Sequence, residues 1–215
     1  MSGLLAGRRA VVTGAGDIGR AVVAELASHG ATVAVWEQDE RALGVLVEGP
    51  GPALRGSVVD VTSETAVAAA ASETREALGG VDILVNTAAI LGPVAPVREL
   101  AGADWRRLID VNLTGVYLCC RALLPALSES VHGSIVNVSS VGGVRGEPMI
   151  AGYCAGKFGV VGFSESLADE LGEEGVRVNC VCPGAVDSAM NEQLLSAVGA
   201  AKSESTSEVI GGLLA

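Results

Sequence analysis

The chain has 215 residues, 49% of them hydrophobic and 18% charged, and 25 acidic against 14 basic side chains leave a net charge of -11. This apolar content excludes global disorder, and the length suits one domain spanning residues 1–215. The acidic balance, with a pI near 4.6, excludes the basic patch that nucleic acid or an anionic membrane requires, so any phosphate must be held by backbone N–H groups and helix dipoles.

The opening residues, MSGLLAGRRA, hold no long apolar stretch, and nowhere do about 18 apolar residues run uninterrupted. A cytoplasmic protein with no membrane span is expected. Ala10–Thr13 is the first strand-like run. Thr13-Gly14-Ala15-Gly16-Asp17-Ile18-Gly19 follows, matching G-x-G-x-x-G between a strand and the helix pattern Ile18–His29, which Gly30 closes. The glycines supply a tight turn, close backbone approach and close helix packing, and the helix start offers free N–H groups to phosphates. Thr32–Trp36 is the second strand, and Glu37 ends it. A carboxylate there takes both hydroxyls of an adenosine ribose and repels a 2′-phosphate. Gln38, Asp39 and Glu40 come next, and Arg20 and Arg41 are the only cations near, so the expected cofactor is NAD rather than NADP.

Gly-Pro-Gly-Pro at 49–52 reads as a loop before the third strand, Leu54–Val59, and the helix Ser63–Leu78 stops at Gly79-Gly80. The fourth strand is Ile83–Asn86, the fifth Ser134–Val138 and the sixth Arg177–Val181, with helices Asp104–Leu127 and Tyr153–Leu171 between them. Most strands are apolar without alternation, as strands buried on both faces are. Strand and helix alternating with right-handed crossovers build an α/β fold, a doubly wound parallel sheet flanked by helices, whose ligands bind beyond the carboxyl ends of the strands. From Asp187 to Ala215 one or two helices are expected and no seventh strand. Cys119, Cys120, Cys154, Cys180 and Cys182 lack metal-ligand spacing and read as reduced core thiols, so no metal is expected.

Tyr153 and Lys157 stand four apart on one helix and share a face. An ammonium beside a phenol lowers its pKa from about 10, and such a tyrosine can give a proton to a carbonyl oxygen receiving hydride, or take one from an alcohol. Ser140, just past the fifth strand, can hydrogen-bond the same oxygen.

Together these motifs resemble the classical short-chain dehydrogenase/reductase family, from about Leu4 to about Ala189. Thr13-Gly14…Ile18-Gly19 is similar to its nucleotide loop, one residue shorter and with Asp17 where a glycine would stand. Asp60-Val61 resembles its adenine contact, Asn86-Thr87-Ala88-Ala89 its N-N-A-G, Asn112 its helix asparagine, and Tyr153-Cys154-Ala155-Gly156-Lys157 its Y-x-x-x-K. The resemblance implies a Rossmann-type fold. It implies cofactor binding by Gly14, Gly16, Asp17, Ile18, Gly19, Glu37, Asp60, Val61, Asn86, Ala88, Tyr153 and Lys157, and by Pro183, Gly184, Val186 and Ser188 after the sixth strand. Asn112, Ser140, Tyr153 and Lys157 would form the catalytic set, with Asn112 holding a water that links Lys157 to solvent.

The implied activity is NAD(H)-dependent interconversion of a secondary alcohol and a ketone. The alternatives are an NADP-dependent reductase of 3-oxoacyl thioesters, which Glu37 opposes, and a catalytically impaired, truncated dinucleotide-binding protein. Family members continue into a seventh strand, so residues 187–215 read as an incomplete substrate-loop and C-terminal region. The substrate lining is expected from Ile90–Pro96, Val141–Ile150 and Asp187–Leu195. A small-molecule alcohol or ketone is the expected partner. A homodimer is expected through the helices Asp104–Leu127 and Tyr153–Leu171, with Ala122, Phe158, Phe163 and Leu167 as contacts.

Overall fold

Among the described residues, six parallel strands form one sheet in the order β3-β2-β1-β4-β5-β6. They are β1 (Arg9–Thr13), β2 (Thr32–Glu37), β3 (Leu54–Val58), β4 (Ile83–Asn86), β5 (Ser134–Val138) and β6 (Arg177–Val181). The computed structural model describes residues 3–47 and 54–202. The loop expected at 49–52 and the tail 203–215 lie outside the described residues. The helices are α1 (Asp17–Ser28), α2 (Glu40–Val47), α3 (Glu64–Leu78), α4 (Gly102–Ile109), α5 (Gly115–Ser128), α6 (Ala151–Leu171) and α7 (Ala189–Lys202).

Val11 and Val12 point to opposite faces of β1, and each face has its own core. One gathers Val11, Ala34, Trp36, Leu84 and Ile135 under α3, α5 and α6; the other gathers Val12, Val33, Val35 and Val85 under α1 and α2. The chain winds from β1 outward to β3, then returns to add β4 on the other side of β1. The crevice beyond the strand ends at that reversal is where an open α/β sheet receives ligands.

Local chemistry fixes several element ends. Ser63 caps α3, its Oγ accepting from the Ala66 N–H at 3.3 Å, and Gly79 ends the helix at φ 73°. Two expectations needed correction. α2 was not anticipated, because its eight residues give barely two turns of amphipathic pattern before the glycine–proline loop. The helix expected over Asp104–Leu127 starts at Gly102 and is interrupted by a π turn at Asp110–Thr114. This run, Gly102–Ser128, is long and apolar enough to cross a bilayer by length and composition. Its apolar side is accounted for by the core: Val116, Leu118, Cys119, Leu123 and Leu127 are buried against the sheet.

Candidate active site

The glycine loop leaves β1 through Gly14, whose N–H donates to the Trp36 carbonyl at 2.8 Å and whose φ is 86°. A Cβ on Gly14 would sit 2.8 Å from the Ala88 Cα, and one on Gly19 would collide with the Gly14 carbonyl. Gly16 differs: its φ is −69° and nothing lies within 4 Å of a Cβ built there. Protein packing therefore does not require glycine at 16. An open position beside the start of α1 is a cradle for backbone contact with a phosphate.

A cavity of about 330 Å³ runs from this loop across the strand ends. Of the residues expected to bind the cofactor, Gly14, Gly16, Asp17, Ile18, Gly19, Glu37, Asp60, Val61, Ala88, Tyr153, Lys157 and Ser188 line it. Glu37 closes one end. Its Oε2 accepts from the Ala15 N–H at 2.7 Å and its Oε1 from the Asp39 N–H at 2.9 Å. Asp60 Oδ1 accepts from the N–H and hydroxyl of Thr62, fixing the turn into α3. Ser188 begins α7, its Oγ accepting from the Asn191 N–H at 3.2 Å.

At the other end, Lys157 is only 3% exposed; its Nζ donates to the Val138 carbonyl at 2.8 Å and lies 5.8 Å from the Tyr153 ring centroid. Burial pushes this amine down to about 8. Tyr153 is half-buried, and burial raises its phenol above the usual value, with the Ser140 hydroxyl pulling the other way. This reverses the expected lowering by Lys157: the ammonium is bonded to the Val138 carbonyl, 5.8 Å from the ring centroid, and desolvation wins. Ser140 lies outside the cavity wall, at the start of a single 3-10 turn, where its Oγ accepts from the Gly142 N–H at 3.1 Å.

Two of the expected asparagines, Asn86 and Asn112, do not line the cavity. Asn86 is buried inside the sheet, donating to Asn137 Oδ1 at 2.9 Å and accepting from the Thr13 hydroxyl at 3.3 Å. Asn137 in turn donates to Ser164 Oγ at 2.9 Å, so Asn86 belongs to a polar chain that ties β1, β4 and β5 to α6. Asn112 lies in the π turn with no exposure, its Oδ1 accepting from the Ile90 N–H at 2.8 Å and its Nδ2 donating to the Ile90 carbonyl at 2.9 Å. Both polar atoms are hydrogen-bonded to Ile90, so this side chain clasps the loop after β4. Pro183, Gly184 and Val186 also fall outside the cavity wall; the Pro183 carbonyl instead accepts from the Val141 N–H at 2.8 Å.

Several wall residues escaped the motif reading. Val138 and Ser139 bring the end of β5 to Lys157, and the Ser139 hydroxyl donates to the Lys157 carbonyl at 2.8 Å. Their position just before Ser140 was a usable signal. Ala189 and Met190 come from α7, within the segment Asp187–Leu195 expected to line the substrate. Beside Tyr153, Leu91, Ile150 and Cys154 form an apolar wall with Val94, Met190 and Leu194, drawn from all three segments expected to line the substrate. Arg145 and Glu147, both within the second of these segments, pair with each other at 3.6 Å.

Residues 8–199 match the description of the short chain dehydrogenase family. A 2-dehydro-3-deoxy-L-rhamnonate dehydrogenase (NAD(+)) from a Sphingomonas species is 40% identical over 194 residues, which are 90% of this chain and 78% of that protein. A 3-oxoacyl-[acyl-carrier-protein] reductase from Chlamydia trachomatis is 34% identical over 199 residues, 90% of this chain and 80% of that one. Among solved structures, NAD+-bound xylitol dehydrogenase superposes with a TM-score of 0.87 at 30% identity, covering 91% of this chain and 77% of that chain. The sheet order, the glycine loop and these similarities agree that the chain belongs to the short-chain dehydrogenase/reductase family of oxidoreductases.

Proposed function

We propose that this chain is an NAD(H)-dependent enzyme interconverting a secondary alcohol and a ketone, with Tyr153 carrying the proton. One observation bears most of the weight: a single cavity has Glu37 at one end, Tyr153 and Lys157 at the other, and open space over Gly16 between them. Glu37 would take the adenosine ribose hydroxyls. The N–H groups at the start of α1 would hold the phosphates, since no cluster of cations is available. NAD is favoured because the Sphingomonas relative is named for NAD(+) and xylitol dehydrogenase was solved with NAD+. The nicotinamide, when bound, supplies or accepts the hydride.

The protein's own part is to orient the substrate and move the proton. Tyr153, kept protonated by its raised pKa, donates to the oxygen of the reduced carbonyl, and Ser140 offers that oxygen a second hydrogen bond. As the phenol ionises, the Lys157 ammonium below the ring offsets the new charge. Leu91, Ile150, Cys154 and Met190 exclude water from the substrate side and select an apolar body. The active form is a homodimer built on α5 and α6.

The test is an NADH fluorescence titration followed by turnover with a panel of ketones. Tyr153→Phe should bind NADH within about twofold of the parent and lose at least 10²-fold in turnover, the usual worth of a positioned proton donor. Equal turnover by Tyr153→Phe refutes the proposed proton carrier. Activity only with NADPH and a 3-oxoacyl thioester would instead support the acyl-reductase reading.

A further inference from the structure

We propose that Asp17 is a positioning residue: it ties α7, the helix walling the substrate side, to the nucleotide loop, so that negative charge arriving over Gly16 is felt at α7. The inference rests on the reading of this cavity as a dinucleotide site.

Asp17 is the first residue of α1, where the positive end of the helix favours a carboxylate. Its Oδ2 accepts from the N–H of Ala189 at 2.9 Å, across 172 residues of sequence. The acceptor is charged, and the bond is exposed to solvent. Ser188 takes the Asn191 N–H, so Asp17 and Ser188 together satisfy two of the N–H groups that a helix start leaves unpaired. The first turn of α7 is thereby pinned to the first turn of α1. Met190 and Leu194, on that same stretch of α7, pack with Leu91, Ile150, Cys154 and Tyr153. The position of the substrate wall is therefore set in part by one oxygen of Asp17.

Asp17 follows Gly16 in the chain, and both line the same cavity. A pyrophosphate placed there repels the carboxylate. Arg20, whose Nε donates to the Ala15 carbonyl at 2.8 Å, keeps its positive charge and offsets part of the repulsion, while Glu37 adds a second carboxylate across the loop. The family pattern has glycine at this place, so the carboxylate is a feature of this chain. Coupling of this kind is reciprocal: whatever the tie costs nucleotide binding, nucleotide binding costs the tie.

Two substitutions separate the hydrogen bond from the charge. Asp17→Ala removes both, whereas Asp17→Asn keeps an acceptor oxygen and loses the charge. Amide hydrogen exchange on nucleotide-free protein should run at least fivefold faster over residues 189–195 in Asp17→Ala, with β1 and β4 unchanged. In Asp17→Asn it should stay within twofold of the parent. NADH affinity should rise at least threefold in both. Unchanged exchange over residues 189–195 in Asp17→Ala overturns the proposal, and so does a fall in NADH affinity in Asp17→Asn. Should the parent bind no NADH at all, the dinucleotide reading fails, while the exchange arm still decides whether Asp17 holds α7.

Discussion

Gly14, Gly16 and Gly19 are equivalent letters in one motif, yet only two are enforced by the protein itself. A methyl group at 14 or 19 meets backbone, whereas one at 16 meets nothing. Gly16→Ala should therefore leave the thermal midpoint within about 1 °C of the parent and weaken NADH at least tenfold, measured by melting and titration side by side. Gly19→Ala should instead destabilise the free protein by about 1–3 kcal/mol, as overpacking does. Lys157 supplies a second residue-scale prediction. Burial lowers its folded-state pKa from 10.5 to about 8, so between those values the unfolded chain holds a proton that the folded protein has released. Stability from this group thus rises with pH across that window, by up to about 3 kcal/mol. Urea midpoints of the nucleotide-free protein from about pH 7.5 to about 10 should show the rise, and Lys157→Met should flatten it. The catalytic-type residues were legible because tyrosine and lysine four apart on a helix must share a face. The directions of Asn86 and Asn112 were not, since residue type says nothing of whether an amide turns to the cavity, to Asn137 or to Ile90.

Elements are held together by one polar lock at the opposite end of the sheet. Asp82, at the foot of β4, accepts from the Arg9 N–H at 2.9 Å, from its guanidinium at 2.7 and 2.9 Å, and from the Ser130 hydroxyl at 2.6 Å. The Arg9 guanidinium holds this carboxyl well below the usual carboxylate range. Its stabilisation is present above the ordinary carboxylate pKa and lost as pH falls below about 4. Asp82→Ala strands Arg9 and should cost about 3 kcal/mol, lowering the melting midpoint by about 10 °C. Nothing in the sequence marks Asp82, because its partner lies 73 residues away. The strands themselves were legible from their Val-rich, unalternating runs. The division of the long helix into α4, a π turn and α5 was not: the clasp of Asn112 on Ile90 is a tertiary contact.

For the whole molecule, the doubly wound parallel sheet was readable from the alternation of strand and helix, whereas the order of its strands was not and the outer surface was read only in part. Of the four residues expected at a dimer face, Leu167 is buried in the core, Ala122 and Phe163 are partly buried against it, and Phe158 is 45% exposed. Tyr117, which was not anticipated, is 42% exposed and meets Phe163 edge to face at 6.3 Å. Light scattering should give the mass of two chains for the parent and of one chain for Phe158→Asp. The parallel sheet also governs how this molecule comes to exist. No strand can pair with its neighbour through a hairpin, because each pairing requires a crossover. The central seam is the most distant: Thr13 meets Asn86 only after a 73-residue loop has closed. The β1–β2–β3 half can assemble as it is synthesised, but it keeps one flank of β1 unpaired until β4 arrives. Folding is therefore expected to be slow for a chain of this size, and that bare flank of β1 is the point at which it is most open to aggregation.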